Sequence, residues 1–309
     1  MTMKYKTALV TGGAGFIGSH ITKQLLEQGL KVIVLDNLSV GKKENVPQGS
    51  ELIIGDILDE PLVSSVFSKG IDIVFHEAAI VTIRESIKNF YNDAMTNIMG
   101  TLNILKASLE FNVKKFVYAS SMAVYSDKSS QTPVLENDEK TPIAPYGLSK
   151  LTTENYFSHF SETTDLDIIC LRYFNTYGEN QTFTPYVGVI TIFVNRLLKG
   201  EAPVIFGDGE QVRDFVYVKD IVQANMKAMQ SDIHFGIFNV GTGKGTSVNE
   251  IAKILCERIN PQIKPVHADA VEGELRYSIA DISKIKNLLG FNPKFKLEDH
   301  IDSVINQYT

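Results

Sequence analysis

The sequence predicts an α/β protein, with a doubly wound parallel sheet and a smaller, mixed α/β C-terminal part. Short apolar runs typical of buried strands alternate with segments whose apolar residues recur at helical spacing. A glycine-rich turn joins the first such run to the first such segment. Strands separated by helices within one sheet imply parallel pairing. The length of 309 residues suits two domains or one large one.

The composition excludes several classes of protein. A net charge of −6 disfavours non-specific binding to nucleic acid. The two cysteines, Cys170 and Cys256, lie in apolar runs, so we expect neither a disulfide framework nor a metal site. No apolar run reaches the roughly eighteen residues of a membrane span. A strand follows residues 1–6 at once and leaves no room for a signal peptide, so we expect a cytoplasmic protein.

The first strand, predicted at residues 7–10, leads into the turn Thr11-Gly-Gly-Ala-Gly-Phe-Ile-Gly. Gly12 and Gly15 allow a tight turn and a close approach of the backbone to a pyrophosphate. Gly18 allows the following helix to pack on the strand, and Gly29 is expected to close that helix. Free N–H groups at the start of the helix favour phosphate. This arrangement predicts a Rossmann-type dinucleotide site, although a lone glycine pattern is also compatible with an ordinary turn.

The second and third strands, at 31–35 and 52–54, end in acidic residues. Asp36 is placed to accept hydrogen bonds from the adenosine ribose and to repel a 2′-phosphate, which favours NAD over NADP. Asp56 and Ile57 lie where an open α/β sheet binds ligands and are candidates for contact with the adenine. The alternatives are a cap for Asp36 and a plain turn for the other two.

The remaining strands of the sheet are predicted at 71–76, 115–121 and 166–172, with a long helix at 95–111. The fourth strand is followed by Ala78 and Ala79, whose small side chains would let a cofactor pass close to the backbone.

Tyr146 and Lys150 are four residues apart, which on a helix places them one turn from each other. A nearby ammonium group is expected to lower the pKa of the tyrosine, which is about 10 in water. Ser121, at the end of the fifth strand, is able to hold the same substrate hydroxyl. The three residues predict a proton-transfer site; taken alone, the Tyr-x-x-x-Lys pattern also fits an ordinary amphipathic helix.

With these motifs the chain resembles the extended short-chain dehydrogenase/reductase family, in particular its UDP-glucose 4-epimerase type. Further markers are Ser120-Ser-Met-Ala-Val-Tyr125, Arg172-Tyr-Phe-Asn-Thr-Tyr-Gly178, Arg213-Asp-Phe-Val-Tyr-Val-Lys-Asp220 and Ala280-Asp-Ile-Ser283. The resemblance covers nearly the whole chain. The predicted NAD-binding set is Gly12, Gly15, Phe16, Ile17, Gly18, Asp36, Asn37, Asp56, Ile57, Ala78, Ala79, Tyr146 and Lys150.

The resemblance also implies a mechanism. Tyr146 would act as the base on the sugar C4 hydroxyl, with Ser121 hydrogen-bonded to that hydroxyl and Lys150 on the nicotinamide ribose. Hydride would pass from C4 to NAD⁺ and return to the other face of a transient 4-keto sugar. The cofactor would therefore be regenerated in each turnover and could stay bound.

The substrate-binding set implied by the resemblance comprises Ser121, Tyr146, Asn175, Val189, Phe206, Arg213, Arg276 and Ser278. Phe206 would line the uracil pocket. Arg213 would hold the diphosphate, for which a guanidinium fork is suited; a salt bridge to Asp214 or Asp220 is the alternative. Asn175 would donate to the same diphosphate, or it is a turn residue.

Two positions near the C-terminus depart from the resemblance or refine it. Relatives often carry an arginine where this chain has Val271, and Arg276 is the candidate replacement. Ser278 occupies the position whose size controls access of N-acetylated sugars, so the small side chain predicts that UDP-N-acetylhexosamines are accepted.

Other departures from the pattern of the family limit which reactions and sugars the sequence favours. Met122 and Ala123 stand where sugar dehydratases of the superfamily place an acid pair, which disfavours dehydration. Glu179, Asn180 and Gln181 provide no arginine for a glucuronate carboxylate, which favours a neutral hexose. Ser126 replaces the usual glycine but removes no catalytic group.

The sequence therefore predicts NAD-dependent 4-epimerisation of UDP-glucose and UDP-galactose, and thus a place in galactose metabolism. Residues 1–176, with returning segments near 215–227 and 238–241, are predicted to form the NAD-binding domain, and 177–309 the discontinuous substrate domain. The resemblance implies a homodimer through the helices near 95–111 and 146–159, unless these only pack on the sheet. Alternative functions are another NAD(P)-dependent nucleotide-sugar oxidoreductase, such as a 4-keto reductase, and a non-catalytic nucleotide-binding protein.

Overall fold

Seven parallel strands form the central sheet in the computed structural model, which describes residues 4–128, 130–182, 188–270 and 275–309. The strands, numbered in chain order, are β1 (Thr7–Thr11), β2 (Lys31–Asp36), β3 (Glu51–Ile54), β4 (Ile73–His76), β5 (Lys115–Ser121), β6 (Asp167–Tyr173), β7 (Asn175–Tyr177), β8 (Val204–Phe206), β9 (Val212–Arg213), β10 (Phe215–Tyr217), β11 (Phe235–Val240), β12 (Thr246–Ser247), β13 (Val266–Ala268) and β14 (Tyr277–Ser278).

The strand order of the central sheet is β11-β6-β5-β4-β1-β2-β3. The order reverses at β1, which pairs with β2 on one side and with β4 on the other. In such sheets the crevice at the reversal, outside the carboxyl ends of the strands, is where ligands bind. The predicted fold class, a Rossmann-type doubly wound sheet, is confirmed.

Helices cover both faces of this sheet and build the C-terminal part. They are α1 (Phe16–Glu27), α2 (Glu60–Phe67), α3 (Ile83–Lys88), α4 (Phe90–Ala94), α5 (Thr101–Glu110), α6 (Pro145–Thr163), α7 (Val189–Leu198), α8 (Val218–Gln230), α9 (Val248–Ile259), α10 (Ser283–Leu289) and α11 (Leu297–Asn306). Among the described residues, no helix is long and apolar enough to cross a membrane.

Two apolar cores lie on opposite faces of the sheet, because neighbouring side chains of a strand point in opposite directions. In β1, Val10 packs into a core with residues of α1 and α8, including Leu25. Its neighbour Leu9 packs into the other core with α2, α5 and α6, including Phe157. Strands buried on both faces explain why the sequence shows continuous apolar runs rather than alternation.

A third core forms the C-terminal part, where α7, α9 and α11 pack together through residues such as Phe193, Leu255 and Ile301. Short strands complete this part: β9 lies between β12 and β14, and β13 pairs with β8. The chain also returns to the first part, since β11 joins the central sheet beside β6 and α8 packs against α1. The predicted domain boundaries stay a prediction.

The structure differs from the sequence-based elements at several ends. The predicted helix at 95–111 begins as a π-helical segment, Met95–Gly100, before it continues as α5. The fourth strand starts two residues later than predicted and the sixth runs from Asp167 to Tyr173. The first helix ends at Glu27, and Gly29 follows its cap with a φ of 85°. That left-handed conformation favours glycine.

A buried ion pair joins α6 to β6. Nε and Nη2 of Arg172 donate to the two carboxylate oxygens of Glu154 at 2.9 and 2.6 Å, and each residue is 2% exposed. Ser120 at the end of β5 donates to the same carboxylate at 2.5 Å, and Nη1 of Arg172 donates to the Tyr125 hydroxyl at 2.6 Å. The pair and Ser120 therefore tie β6 to β5 and α6, the two elements that carry the residues of the predicted proton-transfer site.

We expect Arg172→Met to lower the free energy of unfolding by about 3–5 kcal/mol, because it leaves the Glu154 carboxylate buried without its partner. The measurement is urea denaturation. The control is Arg258→Met, which breaks an exposed ion pair with Asp302 and should cost less than about 1 kcal/mol. Equal losses in the two variants would contradict the role given to the buried pair, and Glu154→Gln added to Arg172→Met should restore part of the loss.

Candidate active site

A cavity of about 690 Å³ lies at the carboxyl ends of the central strands. All thirteen residues of the predicted NAD-binding set line it, and so do Ser121 and Asn175 of the substrate set. The other five substrate candidates, Val189, Phe206, Arg213, Arg276 and Ser278, are not part of its wall.

The glycine-rich turn forms one wall of the cavity through close backbone contacts. A Cβ atom at Gly12, whose φ is 68°, would lie 2.7 Å from the Ala78 nitrogen. A Cβ atom at Gly18 would lie 2.3 Å from the Gly12 oxygen. Gly15 is the N-cap of α1 and offers no side-chain cap, so the first N–H groups of the helix are left for an acceptor in the cavity. This backbone is suited to hold a pyrophosphate.

Asp36 lines the cavity and anchors the glycine-rich turn. Its carboxylate accepts hydrogen bonds from the Ala14 nitrogen at 2.9 Å and the Leu38 nitrogen at 2.8 Å, and thereby fastens the glycine-rich turn to the end of β2. A carboxylate has about four lone-pair sites, so capacity remains for a ligand hydroxyl. The capping role and the predicted ribose-binding role are thus compatible.

Asn37 and Asp56 are hydrogen-bonded to each other at the edge of the cavity. The Asn37 amide donates to Asp56 at 2.8 Å, and the Leu58 nitrogen donates to the other carboxylate oxygen at 2.9 Å. Together with the glycine turn and Asp36, these residues fit an NAD molecule, with phosphates at the start of α1 and a ribose at β2. When bound there, NAD⁺ supplies a hydride acceptor for oxidation of a substrate alcohol.

The predicted catalytic residues converge at the other end of the same cavity. Tyr146, in the first turn of α6, is 8% exposed, and its side chain is hydrogen-bonded to Ser121. Lys150, one turn later, is 2% exposed, and its Nζ donates to the Ala119 carbonyl at 2.7 Å. Its Nζ lies 5.9 Å from the centroid of the Tyr146 ring. The predicted juxtaposition is therefore present in the structure.

The prediction that Tyr146 has a lowered pKa is wrong when only the groups of the protein itself act on it. Burial raises the pKa of Tyr146 to about 12, and the charges of Asp93 and Glu77 act in the same direction. The hydrogen bond with Ser121 acts in the opposite direction and lowers the pKa of Tyr146. Burial also lowers the pKa of Lys150 to about 8, although nearby carboxylates oppose the change.

Two acidic residues near the catalytic pair were not found from the sequence. Glu77 lines the cavity, accepts a hydrogen bond from the Tyr173 hydroxyl at 2.9 Å, and has its pKa raised to about 7 by burial. Asp93 is buried and accepts hydrogen bonds from Ser149 and Asn97 at 2.5 and 2.9 Å. The spacing Asp93-x-x-x-Asn97 on one helical face is the signal that could have indicated the second group.

Asn175 is the substrate candidate that the structure places best. It lies at the start of β7 and lines the cavity, and its Oδ1 is buried without a hydrogen-bond partner among the described residues. Val189 begins α7, and its neighbours Gly188 and Ile190 line the cavity. Phe206 is 43% exposed at the end of β8.

The three remaining substrate candidates lie together on the small sheet. Ser278 of β14 is the register partner of Arg213 of β9, and its buried hydroxyl has no hydrogen-bond partner among the described residues. Nη1 of Arg213 donates to the Val212 carbonyl at 2.9 Å. The two Nη atoms of Arg276 contact the Asp208 carboxylate at 2.7 and 2.9 Å, so this guanidinium is directed at a carboxylate. Val271 lies outside the described residues.

The alternative partners named for Arg213 have hydrogen bonds elsewhere. The buried carboxylate of Asp214 accepts from Thr242 and Gly243, and that of Asp220 accepts from the backbone of residues 294 and 295. Both carboxylates stabilise loops of the C-terminal part.

The fold and the site together define an NAD-dependent enzyme of the extended short-chain dehydrogenase/reductase class. Residues 8–241 match the NAD dependent epimerase/dehydratase family, and the chain belongs to that family. The predicted family and cofactor are thereby confirmed.

Several solved structures are similar over almost the whole chain. A UDP-glucose 4-epimerase of Thermotoga maritima, solved with UDP-glucose, is 41% identical, with a TM-score of 0.94 and 98% of each chain covered. A UDP-N-acetylglucosamine 4-epimerase of Methanobrevibacter ruminantium, in complex with UDP-N-acetylmuramic acid, is 36% identical, with a TM-score of 0.93 and 99% of each chain covered. A UDP-glucose 4-epimerase of Thermus thermophilus, in complex with NAD, is 35% identical, with a TM-score of 0.91 and 98% coverage of each chain.

We expect Gly12→Ala to weaken NAD binding by about tenfold or more, because the added methyl would displace the turn from the Ala78 backbone. The measurement is NADH fluorescence titration of protein stripped of cofactor. Gly70→Ala is the matched control: its φ is 80°, but nothing lies within 4 Å of the added Cβ. That variant should lose some stability and keep its NAD affinity; equal affinities for Gly12→Ala and the parent protein would contradict the assignment.

Proposed function

We propose that this protein interconverts UDP-glucose and UDP-galactose by NAD-dependent epimerisation at C4. The observation that carries the proposal is the convergence of Ser121, Tyr146 and Lys150 on the cavity lined by the glycine-rich turn and Asp36. A proton-transfer group and a dinucleotide site thus share one cavity. The UDP-glucose 4-epimerases among the similar structures support the choice of sugar nucleotide.

In this proposal the protein moves one proton and holds the reactants. The Tyr146 oxygen takes the proton from the C4 hydroxyl of the sugar and returns it when the 4-keto sugar is reduced. Ser121, hydrogen-bonded to Tyr146, favours the phenolate and is placed to hold the same hydroxyl. Lys150 presents a charged donor to the cofactor while the Ala119 carbonyl fixes its position. Burial of Tyr146 excludes water from the proton transfer.

The geometry also bears on the sugar. Gln181 lines the cavity, and its amide oxygen accepts a hydrogen bond from Thr191 at 2.7 Å. The Tyr217 hydroxyl donates one hydrogen bond that the two carboxylate oxygens of Glu179 share, at 2.6 and 2.7 Å. The described residues that line the cavity include no arginine to pair with a sugar carboxylate, which favours a neutral hexose. Ser278 and the N-acetylhexosamine epimerase among the similar structures make the N-acetylated pair the second substrate to test.

The test is proton NMR of the purified protein with UDP-galactose and no added NAD. We expect UDP-glucose to appear, and Tyr146→Phe to lower the rate at least about a hundredfold while the bound NAD remains, since general acid–base groups contribute factors of that order. If only UDP-N-acetylgalactosamine is converted, the proposed reaction stands and the proposed substrate becomes the N-acetylated pair. If neither sugar is converted, and added NADH is oxidised when a 4-keto sugar nucleotide is supplied, the protein is a reductase and not an epimerase.

A homodimer is the second part of the proposal. Large apolar side chains project into solvent from α3, α4 and α6, which pack against one another. They are Ile87 at 57% exposed, Phe90 at 65%, Tyr91 at 71%, Leu148 at 56% and Tyr156 at 42%. A second copy of the chain is the occupant that we propose, because one patch repeated by a two-fold axis covers itself. We further propose that the protein is cytoplasmic and acts in galactose metabolism.

We expect Phe90→Glu combined with Leu148→Glu to convert a dimer into a monomer, because two charges would be buried in the apolar contact. The measurement is light scattering coupled to size-exclusion chromatography. Leu288→Glu is the control, since that side chain is 59% exposed on α10, which packs against α8 and β11 instead. A monomeric parent protein, or a double variant that stays dimeric, would refute this interface.

A further inference from the structure

The ammonium group of Lys150 has an unusual set of neighbours. Its Nζ donates to one backbone carbonyl, that of Ala119, at 2.7 Å. The carboxylates that surround it are each bound to other groups: Glu77 to Tyr173, Asp93 to Ser149 and Asn97, and Glu154 to Arg172. Towards the sheet, Nζ lies 4.7 Å from the centroid of the Tyr118 ring. A buried cation thus rests between a carbonyl and an aromatic ring.

Tyr118 is held rigidly in this position. Its side chain, near the middle of β5, is fully buried. The ring stacks on His76 with centroids 6.0 Å apart and an interplanar angle of 16°, and it meets Phe157 at 4.9 Å and 60°. The Tyr118 hydroxyl makes no hydrogen bond of ordinary geometry among the described residues, and it lies close to the Thr153 side chain. The stacking contacts of this side chain are made by its ring.

We propose that Tyr118 is a positioning residue for Lys150, and that its aromatic face keeps the lysine protonated and directed into the cavity. The proposal rests on the proposed function in one respect, namely that a charged Lys150 serves the reaction. A cation above an aromatic face is attracted by the negative face of the ring, and most strongly where water is excluded. Both conditions are met here.

The balance of charge at Lys150 makes such a contact important. Burial lowers the pKa of Lys150 to about 8, while the charges of Glu77, Asp93 and Glu154 act in the opposite direction. Tyr146 faces the lysine from the same helix, with its pKa raised to about 12. From β4, His76 has its pKa lowered to about 3 and carries no charge near neutrality. A modest loss of attraction would therefore leave Lys150 partly neutral at physiological pH.

The experiment replaces Tyr118 by phenylalanine and then by phenylalanines with one, three and five ring fluorines. Fluorination weakens the negative face of the ring at nearly constant shape. The pKa of Lys150 is measured by NMR titration of ¹³Cε-labelled lysine in the purified protein, and its signal is assigned by its loss in Lys150→Met. We expect Tyr118→Phe to leave the pKa unchanged, and five fluorines to lower it by on the order of one unit.

Controls separate this contact from packing. Phe157→Leu removes a ring from the same cluster and should lower stability without moving the lysine pKa. Tyr118→Leu should lower both the stability and the pKa of Lys150. The decrease of kcat/KM at high pH should then begin at a correspondingly lower pH. A lysine pKa that does not change across the fluorinated series would overturn the proposal. The titration needs no turnover, so a protein that failed to epimerise UDP-galactose would still report on Tyr118.

Discussion

The buried ion pair between Glu154 and Arg172 determines how helix α6 sits on the sheet, and the proton-transfer site depends on that placement. Glu154 follows Lys150 by one turn and Tyr146 by two, so a fixed Glu154 fixes the rotation of the helix. The carboxylate also accepts from Ser120, next to Ser121 in β5. One buried charge pair therefore aligns Tyr146, Lys150 and Ser121. Such pairs add little stability over an apolar core, so precise alignment is the better explanation for its presence.

The electrostatic environment of the site comes from burial more than from individual ion pairs. Desolvation raises the pKa values of Tyr146 and Glu77 and lowers that of Lys150. Each charged form is thereby made less favourable. The pKa values of Glu77 and Lys150 move towards neutrality, whereas that of Tyr146 moves away from it. Residues such as Asp93, which touch no predicted ligand position, contribute through their charge.

The sequence was sufficient for the parts of the molecule encoded locally. Strand runs, the glycine-rich turn and the Tyr146–Lys150 spacing each lie within one short segment, and the structure places them at one cavity. Contacts between segments distant in the chain were not predictable from local patterns. Arg276 is directed at Asp208, sixty-eight residues away in the chain, and no local pattern indicates that contact. The direction of the Tyr146 pKa was wrong because it depends on burial, which follows from packing of the whole domain. The π-helical segment at Met95–Gly100 was missed because the apolar pattern of its sequence resembles that of an α-helix.

The double attachment of Asp36 limits how freely cofactor choice could change in this scaffold. If Asp36 binds the ribose as predicted, acceptance of a 2′-phosphorylated cofactor would require removal of its carboxylate. The same oxygens accept hydrogen bonds from the amides of Ala14 and Leu38 and hold the glycine-rich turn in place. A variant without this acid would bind either dinucleotide more weakly unless another acceptor replaced it. Selectivity for the cofactor and rigidity of the turn are thus inherited together, and an engineer or an evolving lineage would have to alter several neighbouring positions at once.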